Sequence, residues 1–204
     1  MARPSKFDRE HAVEIAMNEI WSHGYAACSV KALSETLGIT RSSFYNAFGS
    51  REDLFLEALA VYFERSPDKA LATAMADDPV KSLLTRTFYA ACQVRAADKE
   101  HRGCLVINSV AELCNTDAKL GPVMKNAVLG NLARFEQLLK WAVKSGEIPA
   151  DTDIRAKALA LQNLLVGLNA LCKAVTSEAE LWMAAKTTLI GLGLYEESAQ
   201  DSET

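Results

Sequence analysis

Side chains that can bind DNA recur at helical spacing in residues 41–46. Phe44 and Phe48 stand four residues apart, which predicts that they share the inward face of a helix. The opposite face then carries Arg41, Ser42 and Tyr45, with Asn46 at its edge. A guanidinium can fork onto guanine O6 and N7 or clamp a phosphate, an amide can reach a base edge, and a phenol can bind a phosphate oxygen. The pattern favours a helix that reads DNA, and an ordinary solvated helix face is the alternative.

Two short helices joined by a tight turn are predicted to hold this face. Apolar spacing predicts a helix over about Val30–Leu37, and Gly38 stops it. Thr40 can cap the next helix, which runs to about Phe48. This arrangement is typical of a helix-turn-helix, whose second helix enters the major groove of DNA.

A further helix is predicted on each side of this pair. The first covers roughly Arg9–His23 and ends at Gly24. The later one begins at a capping box formed by Ser50 and Asp53 and extends to about Arg65. Residues 1–66 are therefore predicted to form a DNA-binding domain built on a three-helix helix-turn-helix unit.

Helical periodicity continues beyond Pro67, and no convincing run alternates as a half-buried strand would. Helices are predicted near 67–76, 79–97, 104–114, 117–145, 153–175 and 178–195, with Gly121-Pro122 interrupting the fourth of them. The expected fold is all-α with about nine helices. Residues 67–204 are predicted to form the second domain.

The charge distribution fits a site-specific DNA-binding protein on an acidic body. The whole chain of 204 residues carries a net charge of −4. Residues 1–51 hold six Lys/Arg against five Asp/Glu, a net of +1, so the remainder holds sixteen against twenty-one, a net of −5. From Ser29 to Arg51 the one acidic residue is Glu35. A modest local positive field of this kind favours DNA recognition over an enzyme that acts on polyanions.

The remaining composition gives no sign of catalysis or of a membrane. The five cysteines include no CxxC pair and, in a cytosolic chain, are expected to be reduced and mostly small core residues. His101 with Cys104 hints at a metal, yet no four-ligand set with known spacing accompanies them. No phosphate loop or nucleophile elbow is present, so no cofactor and no metal are predicted. The absence of an apolar span or signal peptide predicts a cytoplasmic protein.

The N-terminal quarter resembles the DNA-binding domain of the TetR family of bacterial transcriptional regulators, including its AcrR-like members. The matching residues are Gly24-Tyr25, Ser29-Val30, Leu33, Gly38-Ile39-Thr40, Phe44-Tyr45-Asn46-Ala47-Phe48 and Ser50-Arg51-Glu52-Asp53-Leu54. The chain departs from the family where many members carry Gly in place of Ser42, and an aromatic residue or His in place of Asn46-Ala47. These departures concern the base preference.

The resemblance implies a DNA-binding role for particular positions. Ser29, Val30 and Lys31 would lie against DNA at the start of the second helix, with Ser29 and Lys31 on phosphates. Thr40, Arg41, Ser42, Ser43, Tyr45 and Asn46 would line the recognition helix. Arg51 would meet a phosphate, and Arg3 and Lys6 could form a basic arm. A solvated surface is the alternative for each position taken singly.

The resemblance also implies a helical ligand-binding and dimerisation domain. In the family the last two helices pair with their twofold mates as a four-helix bundle. Apolar residues fill more than one stripe of 153–175 and 178–195, as burial on two sides requires. The expected homodimer interface contains Leu161, Leu164, Leu168, Leu171, Leu181, Leu189 and Leu192, with Leu168 as an outward position. A core-only role is the alternative.

Residues 102–114 contain a candidate thiol sensor. They resemble a Gly-Cys-Leu segment of one TetR subgroup, some of whose members respond to electrophiles and oxidants. Cys104 follows Gly103 at a predicted helix start, where the helix dipole lowers a thiol pKa, and Arg102 or Lys173 could lower it further. Cys114 is a second candidate. The alternative is that Cys104 is a buried small residue.

Together these features predict a dimeric repressor that binds a palindromic DNA operator and is released by an unidentified small molecule or by thiol modification. Two other classes compete with it. An enzyme is disfavoured by the absence of a catalytic motif. A helical protein-interaction module would need an acidic or apolar outer face on the third helix, and Arg41 and Tyr45 argue against that.

Overall fold

The first four helices begin at side chains that accept a backbone N–H. The protein is described as a computed structural model covering residues 8–197. The helices are α1 (Arg9–His23), α2 (Val30–Thr36), α3 (Arg41–Phe48) and α4 (Arg51–Arg65). Their capping acceptors are Asp8, Ser29, Thr40 and Ser50, each bonded to the backbone N–H three residues later at 3.0–3.2 Å. Each cap satisfies an N–H that has no intrahelical partner, which fixes where the helix begins.

Six further helices follow in the described part of the chain. They are α5 (Lys69–Thr73), α6 (Val80–Ala97), α7 (Leu105–Leu113), α8 (Leu120–Ser145), α9 (Ile154–Leu171) and α10 (Glu178–Gly191). The all-α prediction is confirmed, with ten helices in residues 8–197 in place of about nine. None of these helices is both long and apolar enough to cross a membrane.

The helix ends differ from the predicted ones for local reasons. Pro122 lies in the first turn of α8, where its missing N–H has no intrahelical partner to lose, so it does not interrupt the helix. The last helix ends at Gly191, four residues before the predicted end, because Gly193 takes a φ of +68° that closes the turn. The predicted helix 67–76 is shorter, at Lys69–Thr73.

Two hydrophobic cores hold the helices together. One lies among α6, α8, α9 and α10 and includes the stacked Phe88 and Phe135. The other lies within the head, which we define as α1–α4, and it also takes in Cys104, Leu105 and Leu113 of the α7 region. The helix α7 therefore packs as part of the head although it follows the head by some 40 residues in sequence.

Candidate DNA-binding surface and the cavity behind it

The outward face of α3 is free of the protein's own packing. Phe44 and Phe48 are buried, as predicted, and anchor the helix to the head. Arg41, Ser42, Ser43, Tyr45 and Asn46 are all exposed, and the Tyr45 side chain is 52% accessible. The helix thus presents one guanidinium, one phenol, one amide and two hydroxyls to a partner, which matches the donors and acceptors of a duplex groove.

Several of the predicted DNA-binding residues also have a structural task. The Thr40 hydroxyl accepts from the Ser43 N–H at 3.1 Å and lies 2.9 Å from the Ser43 hydroxyl, and the Ser29 hydroxyl caps α2. Lys31 is exposed and has a single loose ion pair at 3.9 Å with Glu35, so its charge is available to a phosphate. Val30 is half-buried against the head.

Arg51 lies at the first residue of α4 and contacts the head itself. Its guanidinium is stacked 3.9 Å from the centre of the Tyr25 ring, and its Nη1 donates to the Tyr25 carbonyl oxygen at 3.4 Å. Burial raises the pKa of Tyr25 to about 12, and this phenol donates to Glu52 at 3.2 Å. Arg51 remains half-exposed. Arg3 and Lys6, the predicted basic arm, lie outside the described residues.

The recognition helix is fixed from behind by a residue that the sequence did not reveal. Arg9 donates two hydrogen bonds of 2.6 Å to Glu57 and a third of 3.2 Å to the Ala47 carbonyl oxygen. The hydrogen bonds with Glu57 raise the pKa of Arg9. Arg9 therefore joins α1 and α4 to the last turn of α3. Residue types alone carry no signal for this contact, because the partners stand 38 and 48 positions away.

A cavity of about 650 Å³ lies behind the head. Its deep end contains Tyr62, Cys104, Gln162 and Asn169, which are all buried. Its walls are largely apolar and come from α4, α5, α7, α8 and α9. The volume and lining are those of a small-molecule site.

Cys104 lines this cavity, and its surroundings differ from the predicted ones. It is the N-cap residue of α7 and is 7% exposed. The predicted cation, Arg102, points elsewhere: it pairs with Asp98 at 3.0 Å and stacks 3.9 Å above the Trp21 ring. Asp98 and Trp21 therefore engage Arg102, and its effect on Cys104 stays a prediction.

Of the other predicted members of the thiol site, Cys114 is far from Cys104, whereas Lys173 lies beside Gly103, the residue before it. Cys114 is the C-cap of α7, so the two sulfur-bearing residues stand at opposite ends of one helix, roughly 15 Å apart at 1.5 Å per residue. That distance excludes a direct disulfide between them. Lys173 lies across Gly103, where a Cβ would stand 3.0 Å from its Cε and 2.6 Å from the Asn169 carbonyl oxygen. Gly103 is thus the residue that lets the start of α7 approach α9.

A carboxylate on α7 holds the turn between α1 and α2. Glu112 accepts the Tyr25 N–H at 2.9 Å and the Ala26 N–H at 2.5 Å, and this turn leads directly into the helix-turn-helix. A second link joins the Trp21 indole N–H to the Gly103 carbonyl oxygen at 3.2 Å. These contacts cross more than 80 residues of sequence, and neither was predicted. They bind the head to the helix that begins in the cavity wall.

The predicted dimer leucines are mostly core residues of a single chain. Leu161, Leu164, Leu168, Leu181 and Leu189 are buried among α6, α8, α9 and α10, and Leu192 packs half-buried against them. The expectation that Leu168 faces outward is wrong, since it is 5% exposed. Leu171 is exposed, and the other large exposed apolar residues of α9 and α10 are Leu159, Met183 and Ile190.

Within residues 8–197, no group of three or more His, Cys, Asp or Glu side chains is placed to hold a metal ion.

The geometry defines a helix-turn-helix protein whose recognition helix has an exposed outer face and an inner face packed against the head. Comparison with known proteins gives the same class. Residues 13–58 match the N-terminal model of the bacterial regulatory proteins of the tetR family, and residues 82–188 match the tetracyclin repressor-like C-terminal domain. The chain belongs to the TetR family of transcriptional regulators.

Individual relatives are similar along nearly the whole chain. The HTH-type transcriptional repressor ComR of Escherichia coli is 29% identical over 188 residues, covering 92% of this chain and 90% of ComR. A cysteine mutant of the TetR family regulator CifR, complexed with 26-bp double-strand operator DNA, superposes with a TM-score of 0.80 at 26% identity, covering 93% of this chain and 98% of that one. These relatives confirm the choice of a transcriptional regulator over an enzyme.

Proposed function

We propose that the protein is a ligand-responsive repressor that binds a palindromic DNA operator as a homodimer in the cytoplasm. A small molecule in the cavity, or modification of Cys104, releases it from DNA. The observation that carries this proposal is the double role of α7, which begins in the cavity wall at Cys104 and holds the head through Glu112. Residues 1–66 and 67–204 are the two proposed domains. Helix α7 belongs to the second domain but packs into the core of the head.

In this proposal, ligand binding affects DNA binding by changing the distance between the two α3 helices of the dimer. In a twofold dimer the two α3 helices must stand about one turn of DNA apart, roughly 34–36 Å. An occupant of the cavity that displaces α7 also displaces the turn at Tyr25 and Ala26, because Glu112 holds both N–H groups. A ligand that binds one helix spacing better than the other shifts the population away from the DNA-binding form.

The homodimer is supported by exposed apolar surface on the last two helices. Leu159 and Leu171 on α9 and Met183 and Ile190 on α10 are between 39% and 64% exposed. Met183 and Ile190 are seven residues apart and share one face of α10, and exposed apolar surface of this kind marks an association site. Two copies of these helices would form the proposed four-helix interface, and its twofold axis would match that of a palindromic site.

The operator is the first test of the proposal. Duplexes enriched by the purified protein from a random DNA pool should contain an inverted repeat with half-sites about one helical turn apart. A gel shift should show one dimer per duplex. Enrichment of a single unrepeated half-site, or of no sequence at all, would contradict the proposed mode of binding.

The route of release is tested on that operator. Wild-type protein and Cys104→Ser are bound to the duplex and treated with 1,4-benzoquinone, and the bound fraction is followed. Release of wild type alone identifies Cys104 as the trigger. Equal release of both proteins removes Cys104 from the mechanism, and no release of either leaves the non-covalent ligand as the effector.

A further inference from the structure

A positive charge without an opposite charge is buried beside the deep end of the cavity. Arg95 on α6 is 6% exposed, and a guanidinium stays charged at every accessible pH. It donates to the Asn169 side-chain oxygen at 2.6 Å and to the Tyr62 hydroxyl oxygen at 3.0 Å. Among the described residues no carboxylate forms a salt bridge with it, and Asp98, one turn further along α6, is paired with Arg102.

The buried charge of Arg95 carries a free-energy cost that a negatively charged ligand can offset. Taking a charge out of water is costly unless an opposite charge accompanies it. The two partners of Arg95 are neutral, and both of them line the cavity. The positive potential of the guanidinium therefore extends into the cavity through Tyr62 and Asn169. Two carboxylates, Glu64 and Asp68, also line the cavity, but they are bonded to Lys69 and Ser66 and not to Arg95.

Two buried hydrogen-bond donors line the cavity. The Tyr62 oxygen accepts from Arg95, which leaves its own proton to donate toward Cys104 or toward an occupant. Burial raises the pKa of Tyr62, so this phenol remains a donor at physiological pH. The Gln162 side-chain oxygen accepts from Asn131 at 3.0 Å, which leaves the Gln162 amide N–H groups to donate. Gln162 is also buried.

The rest of the cavity suits an uncharged body. Val106, Ile107, Ala127, Val128 and Leu165 form its apolar wall. The charged residues at its more exposed side are engaged elsewhere. Lys69 pairs with Glu64, and Arg134 donates to the carbonyl oxygens of Leu71 and Ala74 at the end of α5.

We propose that the cavity binds an organic acid with an apolar body, whose carboxylate accepts from the Tyr62 hydroxyl and the Gln162 amide and faces the charge of Arg95. This inference rests on the proposed function, because it names the effector class of the same cavity. Its two oxygens can each accept from one donor, and its negative charge is the one that no salt bridge among the described residues supplies to Arg95.

The test compares ligands that differ only in the head group. Full-length protein is titrated calorimetrically with 4-phenylbutyrate, 4-phenylbutanamide and 4-phenylbutan-1-ol. The acid should bind about tenfold or more tightly than the amide, as charge-assisted hydrogen bonds are stronger than neutral ones. Arg95→Met should bring the acid and the amide close to parity, and Tyr62→Phe should reduce the preference for the acid about threefold or more.

Lys69→Met is the matched control, since it removes a positive charge from the cavity rim and should keep the preference. Tyr62→Phe and Gln162→Leu carry the test if Arg95→Met fails to fold. Wild type that binds the acid no better than the amide, or that binds none of the three, overturns the inference. So does a preference that survives in both Tyr62→Phe and Gln162→Leu. Gel shifts on the same samples report operator binding separately, so the repressor proposal stands or falls independently.

Discussion

Arg41 and Lys31 are both exposed on the helix-turn-helix, yet their substitutions should separate base reading from phosphate binding. Arg41→Ala is expected to cost on the order of 1–3 kcal/mol at one base step if the guanidinium reads a guanine. Lys31→Ala and Tyr45→Phe should weaken binding to all sequences about equally, and Lys31→Ala should reduce the salt slope by about one.

Gel shifts over a series of operator variants, at several salt concentrations, measure these effects. Lys140→Ala removes an exposed lysine of α8 and is the control that should leave the salt slope unchanged. An even loss of affinity at every operator position in Arg41→Ala would mean that Arg41 is a phosphate clamp.

The pair of Asp98 and Arg102 predicts an acid-sensitive part of the stability. Burial alone would raise the pKa of Asp98, but the hydrogen bonds and charge of Arg102 outweigh it, so the pKa of Asp98 is lowered. A carboxylate with a lowered folded-state pKa stabilises the protein above its unfolded pKa, near 4, and loses that contribution as the pH falls through the folded value. Asp98→Asn should therefore cost about 1–3 kcal/mol at pH 7, and this cost should shrink as the pH falls through the lowered pKa of Asp98.

Urea unfolding at pH 7, 5 and 3 measures this difference. Asp151→Asn changes an exposed carboxylate before α9 and should follow wild type at each pH. A deficit of Asp98→Asn that stays constant down to pH 3 would show that the charge of Asp98 is not what stabilises the fold.

At the scale of helices, the Glu112 side chain of α7 should control the mobility of the turn between α1 and α2. Glu112→Gln keeps the shape of the side chain, but its amide group offers one acceptor in place of two to the N–H groups of Tyr25 and Ala26. One of these N–H groups then loses its partner, at a cost of about 1–3 kcal/mol. The amides of Tyr25 and Ala26 should exchange with deuterium faster than in wild type.

Native-state hydrogen exchange resolves the effect residue by residue. Glu35→Gln, on the exposed side of α2, is the control and should leave both amides as protected as in wild type. Unchanged protection of Tyr25 and Ala26 in Glu112→Gln would mean that the turn is held by other contacts, and the proposed route from cavity to head would lose its last step.

The starts of helices could be predicted because both partners of a capping bond lie within one turn of sequence. Contacts between residues far apart in sequence could not. Ser29, Thr40 and Ser50 begin their helices through bonds to residues three positions on, so the sequence contains both partners within one turn. The exposed face of α3 followed from Phe44 and Phe48 in the same way. Glu112 and Arg95 meet partners 87 and 33 positions away, and no short pattern records such pairings.

On the scale of the whole molecule, the dimer should depend on exposed apolar residues and not on the predicted core leucines. Met183→Glu and Ile190→Glu place charges on the outer face of α10, where the residues are 64% and 55% exposed. Burying a carboxylate against a partner helix is costly, so these variants should sediment as monomers and bind the operator weakly. Their folded chain should persist, because neither residue belongs to the core.

Met75→Glu is the matched control, since Met75 is 66% exposed and lies in the loop between α5 and α6 and not on α9 or α10. It should remain dimeric. A dimer that persists in the Met183→Glu, Ile190→Glu double variant would place the interface on another surface.

The leucine pattern of α9 and α10 could not assign the dimer residues for a physical reason. A helix covered by its own chain on one side and by a partner on the other shows apolar residues on both. Leu161 and Leu189 proved fully buried within one chain, whereas Leu159 and Ile190 of the same helices are exposed. Apolar spacing indicates that a side of a helix is covered, but it does not indicate whether the same chain or a partner chain covers it.

The surroundings of Trp21 make the protein its own spectroscopic reporter. Its indole N–H donates to Gly103 at the entrance to α7, Arg102 lies against one ring face, and the Tyr62 ring meets it edge-on at 5.1 Å. The other two tryptophans, Trp141 and Trp182, lie in the body of the protein and can be replaced by Phe to silence them. The fluorescence of Trp21 would then report changes in the contacts between the head and the start of α7. No attached dye is needed, and the signal can be followed in solution on the timescale of stopped-flow mixing.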